Sequence, residues 1–405
     1  MTLTEQILAK GARRVEVHAG EIVEVSVDRA MIHDNNAGLV IDHFGHIVDP
    51  TVWDSDKVVF FIDHHSPSTS VKAVKHHDSM RKFAQKYGIR KFFDCGCGIS
   101  HTVMIEEGLA AKGLIVVGTD SHTTGEGALG AFATGIGATE MASVLVTGKL
   151  WFRVPPTVKV VVNGALGPGV DARDVMNVVL SKFGPDGANY CAVEFHGPVC
   201  RAFTLEERAM CCVLSMEMGA KNALFAEENT GDEGYEKIVV IDAEEIGPTI
   251  AVPPLPTNAR PVKEVAAQNI AVQQAAIVSC SGALLKDLAI AAQILKGRKV
   301  HEGVRLLVSP ASRTIWNKAL HLGYIEALYD AGAVICAPTC GACGGHDMGI
   351  LAPGETCISC SPRNMSGRMG AGGIVYLGSS ASVAAAAVAG KIVDPREYLK
   401  GREQE

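Results

Sequence analysis

Short, unbroken apolar runs, each closed by a polar turn and followed by a helical stretch, constrain this chain more than any other feature. Val58-Val59-Phe60-Phe61-Ile62 ends in Asp63-His64-His65, and residues 70–87 then read as a helix closed by Gly88. Lys91-Phe92-Phe93 leads into Asp94-Cys95-Gly96-Cys97 and on to His101, and Leu114–Gly118 leads into Thr119-Asp120-Ser121-His122. Runs without polar alternation suit strands buried on both faces, and strands alternating with helices predict parallel sheets. Such sheets bind ligands beyond the carboxyl ends of their strands. One His or Asp there is an ordinary turn residue, but three such endings predict a shared site.

The last third repeats the rhythm. Ala276–Ser279 ends in Cys280, a helix is expected over 284–295, a strand over 304–308, a helix over 313–331 and a strand over 333–336. That last strand enters Cys336-Ala-Pro-Thr-Cys340-Gly-Ala-Cys343-Gly-Gly-His346, so Cys280, Cys340 and Cys343 all follow strand ends. Between the two regions lie a strand over 158–162, a helix over 171–183 and a helix through Cys211-Cys212 that leads to Glu217. An acid in that apolar stretch must be exposed or partnered. Gly125, Gly127 and Gly130 have the G-x-G-x-x-G spacing but do not directly follow a strand and lack a fitting downstream acid, so close helix packing is expected rather than a dinucleotide site. The Pro-rich stretch 252–256 breaks the pattern. It predicts N-terminal α/β domains over 1–256 and a C-terminal α/β domain over 257–405.

A chain of 405 residues exceeds one ordinary core. Its net charge of −7 and lack of a basic run argue against nucleic acid or anionic membrane as partners. No run approaches the roughly 18 apolar residues of a membrane helix, and the N-terminus lacks an apolar signal region, so a cytoplasmic protein is expected. Its twelve cysteines should then be reduced, which favours metal binding or catalysis over disulfides.

Two metal readings compete. Cys340-x-x-Cys343 with Cys357-x-x-Cys360 has the form of a four-thiolate zinc ribbon. Alternatively Cys280, Cys340 and Cys343 hold an iron–sulfur cluster with one iron open. Zinc ribbons staple folds short of core, and residues around 357 read as a strand, which turns alternate side chains to opposite faces. The cluster also accounts for the surplus of Asp, His and Arg. An open iron is a Lewis acid, arginines grip carboxylates, and His–carboxylate pairs move protons. Together they describe a hydro-lyase for a small hydroxy acid.

The stretches GTDSHTTGEGALGAFATGIGATEMA, SCSGALLKDLAIAAQILKGRKV, PTCGACGGHDMGILAPGETCIS and RNMSGRMG resemble the large subunits of isopropylmalate dehydratases, within the aconitase superfamily. The resemblance implies three α/β/α parallel-sheet units around a central [4Fe-4S] cluster held by Cys280, Cys340 and Cys343. It implies pairing of Asp63 with His64, Asp120 with His101, and Glu217 with His122 in catalysis, and substrate binding by His33, Ser121, Arg363 and Arg368. It further implies isomerisation of 3- and 2-isopropylmalate in leucine biosynthesis. No Gly-Ser-Ser-Arg-Glu-like stretch is found, so the swivel domain is expected on a separate small subunit. Gly282, Val213 and Pro362 stand where the family has Asn. Dehydratases of 2-methylmalate or dimethylmalate and homoaconitase, acting on other hydroxy di- or tricarboxylates, remain alternatives, as does a cluster protein without catalysis.

Overall fold

The computed structural model describes residues 1–399 except 69, 228–230 and 346–347; His346 of the Cys340 loop therefore lies outside the described residues. Two compact units account for the chain. The first takes residues 1–95, 100–163 and 186–241, and the second takes 96–99, 164–185 and 242 onward. The Pro-rich stretch 252–256 lies inside the second unit.

In the first unit a five-stranded sheet runs Lys91–Phe93, Val58–Phe61, Arg29–His33, Ile115–Gly118, Phe132–Gly135 in spatial order, with every neighbouring pair parallel. Val58–Phe61 and Ile115–Gly118 are buried at every residue, as a sheet covered on both faces requires. Helices Asp34–Gly45 and Val71–Tyr87 cover one face and meet through Phe44 and Phe83, whose ring centroids are 5.2 Å apart edge to face. A second sheet orders Asn222–Phe225, Ala192–His196, Thr157–Asn163 and Lys237–Asp242. An antiparallel ribbon pairs Ile22–Ser26 with Lys149–Arg153.

The glycine-rich stretch forms a 3-10 helix, Ser121–Leu129, that packs on the helix Leu205–Ser215. Gly127 lies so close to the carbonyl of Ala223 that any Cβ would collide with it. Close packing, not phosphate binding, is what these glycines allow.

The second unit is built on a seven-stranded sheet. Gln274–Ile277, Arg305–Val308, Val334–Ile335, Thr356–Ser359 and Ile374–Leu377 run parallel; at one edge Thr249–Ala251 pairs antiparallel with Ile374–Leu377, and Ala259–Pro261 pairs antiparallel with Thr249–Ala251. The helix expected over 313–331 is two helices, Arg313–His321 and Tyr324–Asp330. Gly323, at φ 75°, takes the left-handed conformation that ends a helix, which the apolar periodicity alone does not reveal. No helix among the described residues is long and apolar enough to cross a membrane.

Candidate active site

Parallel strands place their carboxyl ends on one edge of the five-stranded sheet, and the polar turns gather there. His33 closes Arg29–His33, Asp63 and His64 follow Val58–Phe61, and Asp120, Ser121 and His122 follow Ile115–Gly118. His101 stands in the first turn of the helix Ser100–Glu106. Three His–carboxylate contacts result: His64 Nδ1 to Asp63 Oδ1 at 2.8 Å, His101 Nε2 to Asp120 Oδ1 at 3.0 Å, and His122 Nε2 to Glu217 Oε1 at 2.8 Å. They form one network, because Asp120 Oδ2 also lies 3.6 Å from His64 Nε2 and 3.8 Å from His33 Nε2. The backbone N–H of His122 donates to Asp120 Oδ1 at 2.7 Å. Beside this hub, half-buried Ser121 lines a cleft of about 380 Å³ together with Thr119, Tyr190 and Lys221.

Burial and neighbours decide the charges. Burial opposes ionisation of Asp120, yet bonds from His101 and His64 outweigh it and hold its pKa well below the usual carboxylate range. Burial likewise opposes charge on His64, but Asp63 and Asp120 raise its pKa well above the ordinary imidazole value. The same contest, with Glu126 and Asp120 as the carboxylates, takes His101 up to about 10. His33 goes the other way, since burial and the neighbouring His64 favour its neutral form. Its Nε2–H donates to the Thr119 carbonyl at 3.0 Å, and its buried Nδ1 has no partner among the described residues. The network thus offers proton donors at His64 and His101 beside a neutral imidazole with an open lone pair.

Three residues of this network were not singled out from the sequence. Asp34 accepts from the backbone N–H of His64 at 3.0 Å and of His65 at 2.9 Å, and from His77 Nε2 at 3.2 Å, and so fixes the turn that aims His64. Glu126 faces His101 Nδ1 at 3.2 Å. Asp34 directly follows His33 at the start of the helix Asp34–Gly45, and that adjacency was a usable signal. Glu126 lies among glycines and His77 on an amphipathic helix, and neither setting distinguishes them. His33, Asp34, Asp63 and His64 bring ligand atoms within 4.8 Å of one another, but both oxygens of Asp34 and of Asp63 already accept N–H groups. That is a hydrogen-bond network rather than a cation site.

The second unit carries the thiols. Cys280 lies in a turn flanked by Ser279 at φ 85° and Ala283 at φ 54°, two left-handed non-glycine residues of the kind that collect at functional sites. The turn is held by Ser281 Oγ, which donates to the Cys360 carbonyl at 3.0 Å. Cys340 caps the start of the short helix Gly341–Gly344 and Cys343 lies within it, and in the loop before it the Ala337 carbonyl accepts from Ser309 Oγ at 2.8 Å. Arg368 Nη2 donates to Cys343 Sγ at 3.6 Å, and Arg363 is half-buried in the loop after Thr356–Ser359. Cys357 and Cys360 differ in kind. Burial pushes both thiols up to about 12, and Cys360 Sγ bonds the backbone of Val278. Thiols that keep their protons are poor metal ligands. No four-cysteine group among the described residues has ligand atoms as close as a single zinc ion requires. Cys280, Cys340 and Cys343 all lie in turns or a short helix of the second unit, with the Arg368 guanidinium at Cys343, and thiolates are the donors an iron–sulfur cluster takes.

Two of the three replaced amides have a local explanation. A Cβ at Gly282 would collide with Cys360 Sγ, so this chain has filled that space from the other side. Val213 packs its Cγ2 against Gly125 in the turn after His122. Nothing in the structure explains Pro362.

The model of the aconitase family (aconitate hydratase) matches residues 5–231 and 226–390. The large subunit 1 of 3-isopropylmalate dehydratase from Methanopyrus kandleri is 42% identical over 418 aligned positions, covering 98% of this chain and 99% of that protein. The 3-isopropylmalate dehydratase large subunit of Nitratiruptor sp. is 41% identical over the same shares. In fold, the chain is similar to holo-form aconitase X from Thermococcus kodakaraensis, at a TM-score of 0.54 and 14% identity over 89% of this chain and 88% of that one. With matches that span nearly its whole length, the chain belongs to the aconitase family.

Proposed function

We propose that the chain is the large catalytic subunit of an iron–sulfur hydro-lyase that interconverts 3- and 2-isopropylmalate by dehydration and rehydration, a step of leucine biosynthesis in the cytoplasm. The observation that carries this reading is the Asp120-centred network, in a chain 42% identical to a protein named for that reaction. His64 with Asp63, His101 with Asp120, and His122 with Glu217 hold and move protons. His33 and Ser121 orient the substrate, and Arg363 and Arg368 hold its carboxylates, for which the guanidinium fork is suited. Cys280, Cys340 and Cys343 hold a [4Fe-4S] cluster, which when bound polarises the departing hydroxyl as a Lewis acid. A small subunit bearing the swivel domain supplies the base for the carbon that loses its proton.

The test is anaerobic reconstitution of the chain with its small subunit and an assay against substituted malates. Isopropylmalate should be the preferred substrate, with the isolated chain nearly inactive. Full activity of the isolated chain, with no rise as small subunit is titrated in, would sink the two-subunit reading. Preference for 2-methylmalate would move the assignment to that dehydratase.

A further inference from the structure

The glycine-rich turn hides a carboxyl group that none of these roles uses. Glu126, on the 3-10 helix Ser121–Leu129, has no exposed surface. Its Oε1 stands 3.2 Å from His101 Nδ1, while His101 Nε2 stands 3.0 Å from Asp120 Oδ1. A single imidazole is therefore held at both nitrogens by carboxyl groups. Glu126 Oε2 is buried without a partner among the described residues. An ionised oxygen in that position is costly, so burial favours the neutral acid and pushes the pKa of Glu126 up. The titratable groups facing it are His101, Asp120 at the head of its own helix, and Cys212 from the helix Leu205–Ser215, whose thiol burial keeps protonated.

We propose that Glu126 is a proton reserve behind His101. The two residues hold two protons between them, one on Nε2 and donated to Asp120, the other shared between Nδ1 and Glu126 Oε1. When Nε2 gives its proton to the departing hydroxyl, that N–H bond breaks and an O–H bond of water forms. The shared proton then settles on Nδ1, its bond to Oε1 breaks, and Glu126 is left ionised. Addition of water runs both transfers in reverse, and no electrons change hands. Glu126 acts through His101 as a positioning residue that leaves Nε2 as the exchanging nitrogen, the division of labour that a carboxylate imposes on a catalytic histidine elsewhere. The inference rests on the proposed proton handling by His101.

The experiment follows His101 by nitrogen NMR in the histidine-labelled full chain, and turnover in the two-subunit enzyme. Glu126→Gln keeps the shape but holds no exchangeable carboxyl proton. The His101 titration should fall by more than about one pH unit, since one of its two flanking carboxyl groups is gone. Turnover should fall roughly 10- to 100-fold, with its alkaline limb moved to lower pH, and Glu126→Asp should recover part of both. An unchanged His101 titration and an unmoved alkaline limb in Glu126→Gln would overturn the proposal. The reading beneath it is tested separately, because His101→Ala should lose roughly 10²-fold or more in turnover. If His101→Ala keeps its turnover, that reading falls, whatever the NMR of Glu126→Gln gives. Should Glu126→Gln fail to fold, the wild-type rate in mixtures of light and heavy water decides: a curved dependence supports two moving protons, and a straight line overturns the reserve.

Discussion

Arg173 spreads its guanidinium over the turn that begins at Cys360, donating through Nη1 to the Cys360 carbonyl and through Nη2 to the Ser361 carbonyl, each at 2.8 Å. The side chain is buried on the helix Ala172–Phe183, and the turn it holds leads directly to Arg363. Arg173→Met removes the charge, takes the donor from the buried Ser361 carbonyl and leaves the Cys360 carbonyl to Ser281 Oγ. We expect a loss of about 3 kcal/mol in unfolding free energy, measured by urea denaturation, with Arg173→Lys intermediate because one ammonium cannot reproduce the fork. A loss below about 0.5 kcal/mol would mean that the carbonyls find other donors.

The thiols divide into two classes with different fates. Cys340→Ser or Cys343→Ser should abolish the brown colour of anaerobically reconstituted protein, and iron content should fall from roughly four per chain. Cys357→Ser and Cys360→Ser should keep it, because those thiols are buried and protonated. Stoichiometric zinc lost in all four variants alike would establish the ribbon instead.

Gly282 and Cys360 compete for one volume. Gly282→Ala alone should destabilise the protein by about 1–3 kcal/mol, as overpacking does. Adding Cys360→Gly should restore most of that loss, giving a coupling of about 1–3 kcal/mol in a double-mutant cycle. Additive effects would show that the turn moves aside without help.

Asp34→Asn keeps the size but replaces an acceptor oxygen with an NH2 group, in a place where four donors converge from His64, His65, His77 and Asp63. Turnover should fall roughly 10-fold or more through misplacement of His64, with the cluster spectrum intact. His77→Phe should show the weaker form of the same defect. Unchanged turnover in both would reduce Asp34 to a structural group.

Stability should respond to pH in two directions. His101 is raised in the folded state to about 10, against roughly 6.5 when unfolded, so its contribution is complete below about 6.5 and is lost as pH rises through about 10. Asp120 is depressed, so its contribution is present above roughly 3.9 and is lost as pH falls toward its lower folded value. Urea midpoints should decline on both sides of neutrality, and His101→Asn should flatten the alkaline side. An unaltered alkaline slope in that variant would assign the titration elsewhere.

The strands and their polar endings were legible because period and burial leave a direct mark. Val58–Phe61 and Ile115–Gly118 fall within the apolar runs, and the pairs around Asp120 stand where parallel strands must deliver them. What stayed illegible depends on contacts between distant segments. Glu126 looks like any acid in a polar turn until the helix Leu205–Ser215 closes over it, and Gly282 looks like flexibility until Cys360 occupies its space. The break at Gly323 was hidden because both halves keep the same apolar periodicity. Residues 96–99 and 164–185 join the second unit through partners that lie far along the chain.

That last feature has a consequence for synthesis on the ribosome. Arg173 waits for a carbonyl 187 residues downstream, and Asp174 for Thr249, whose N–H and hydroxyl bond it at 2.7 and 2.8 Å. At roughly 5–20 residues per second, the helix that carries them emerges roughly ten to forty seconds before Cys360 does. For that interval a segment destined for a dry interior must remain in water or under a chaperone. A ribosome stalled between the two should therefore present the helix to proteases, and release of the full chain should hide it.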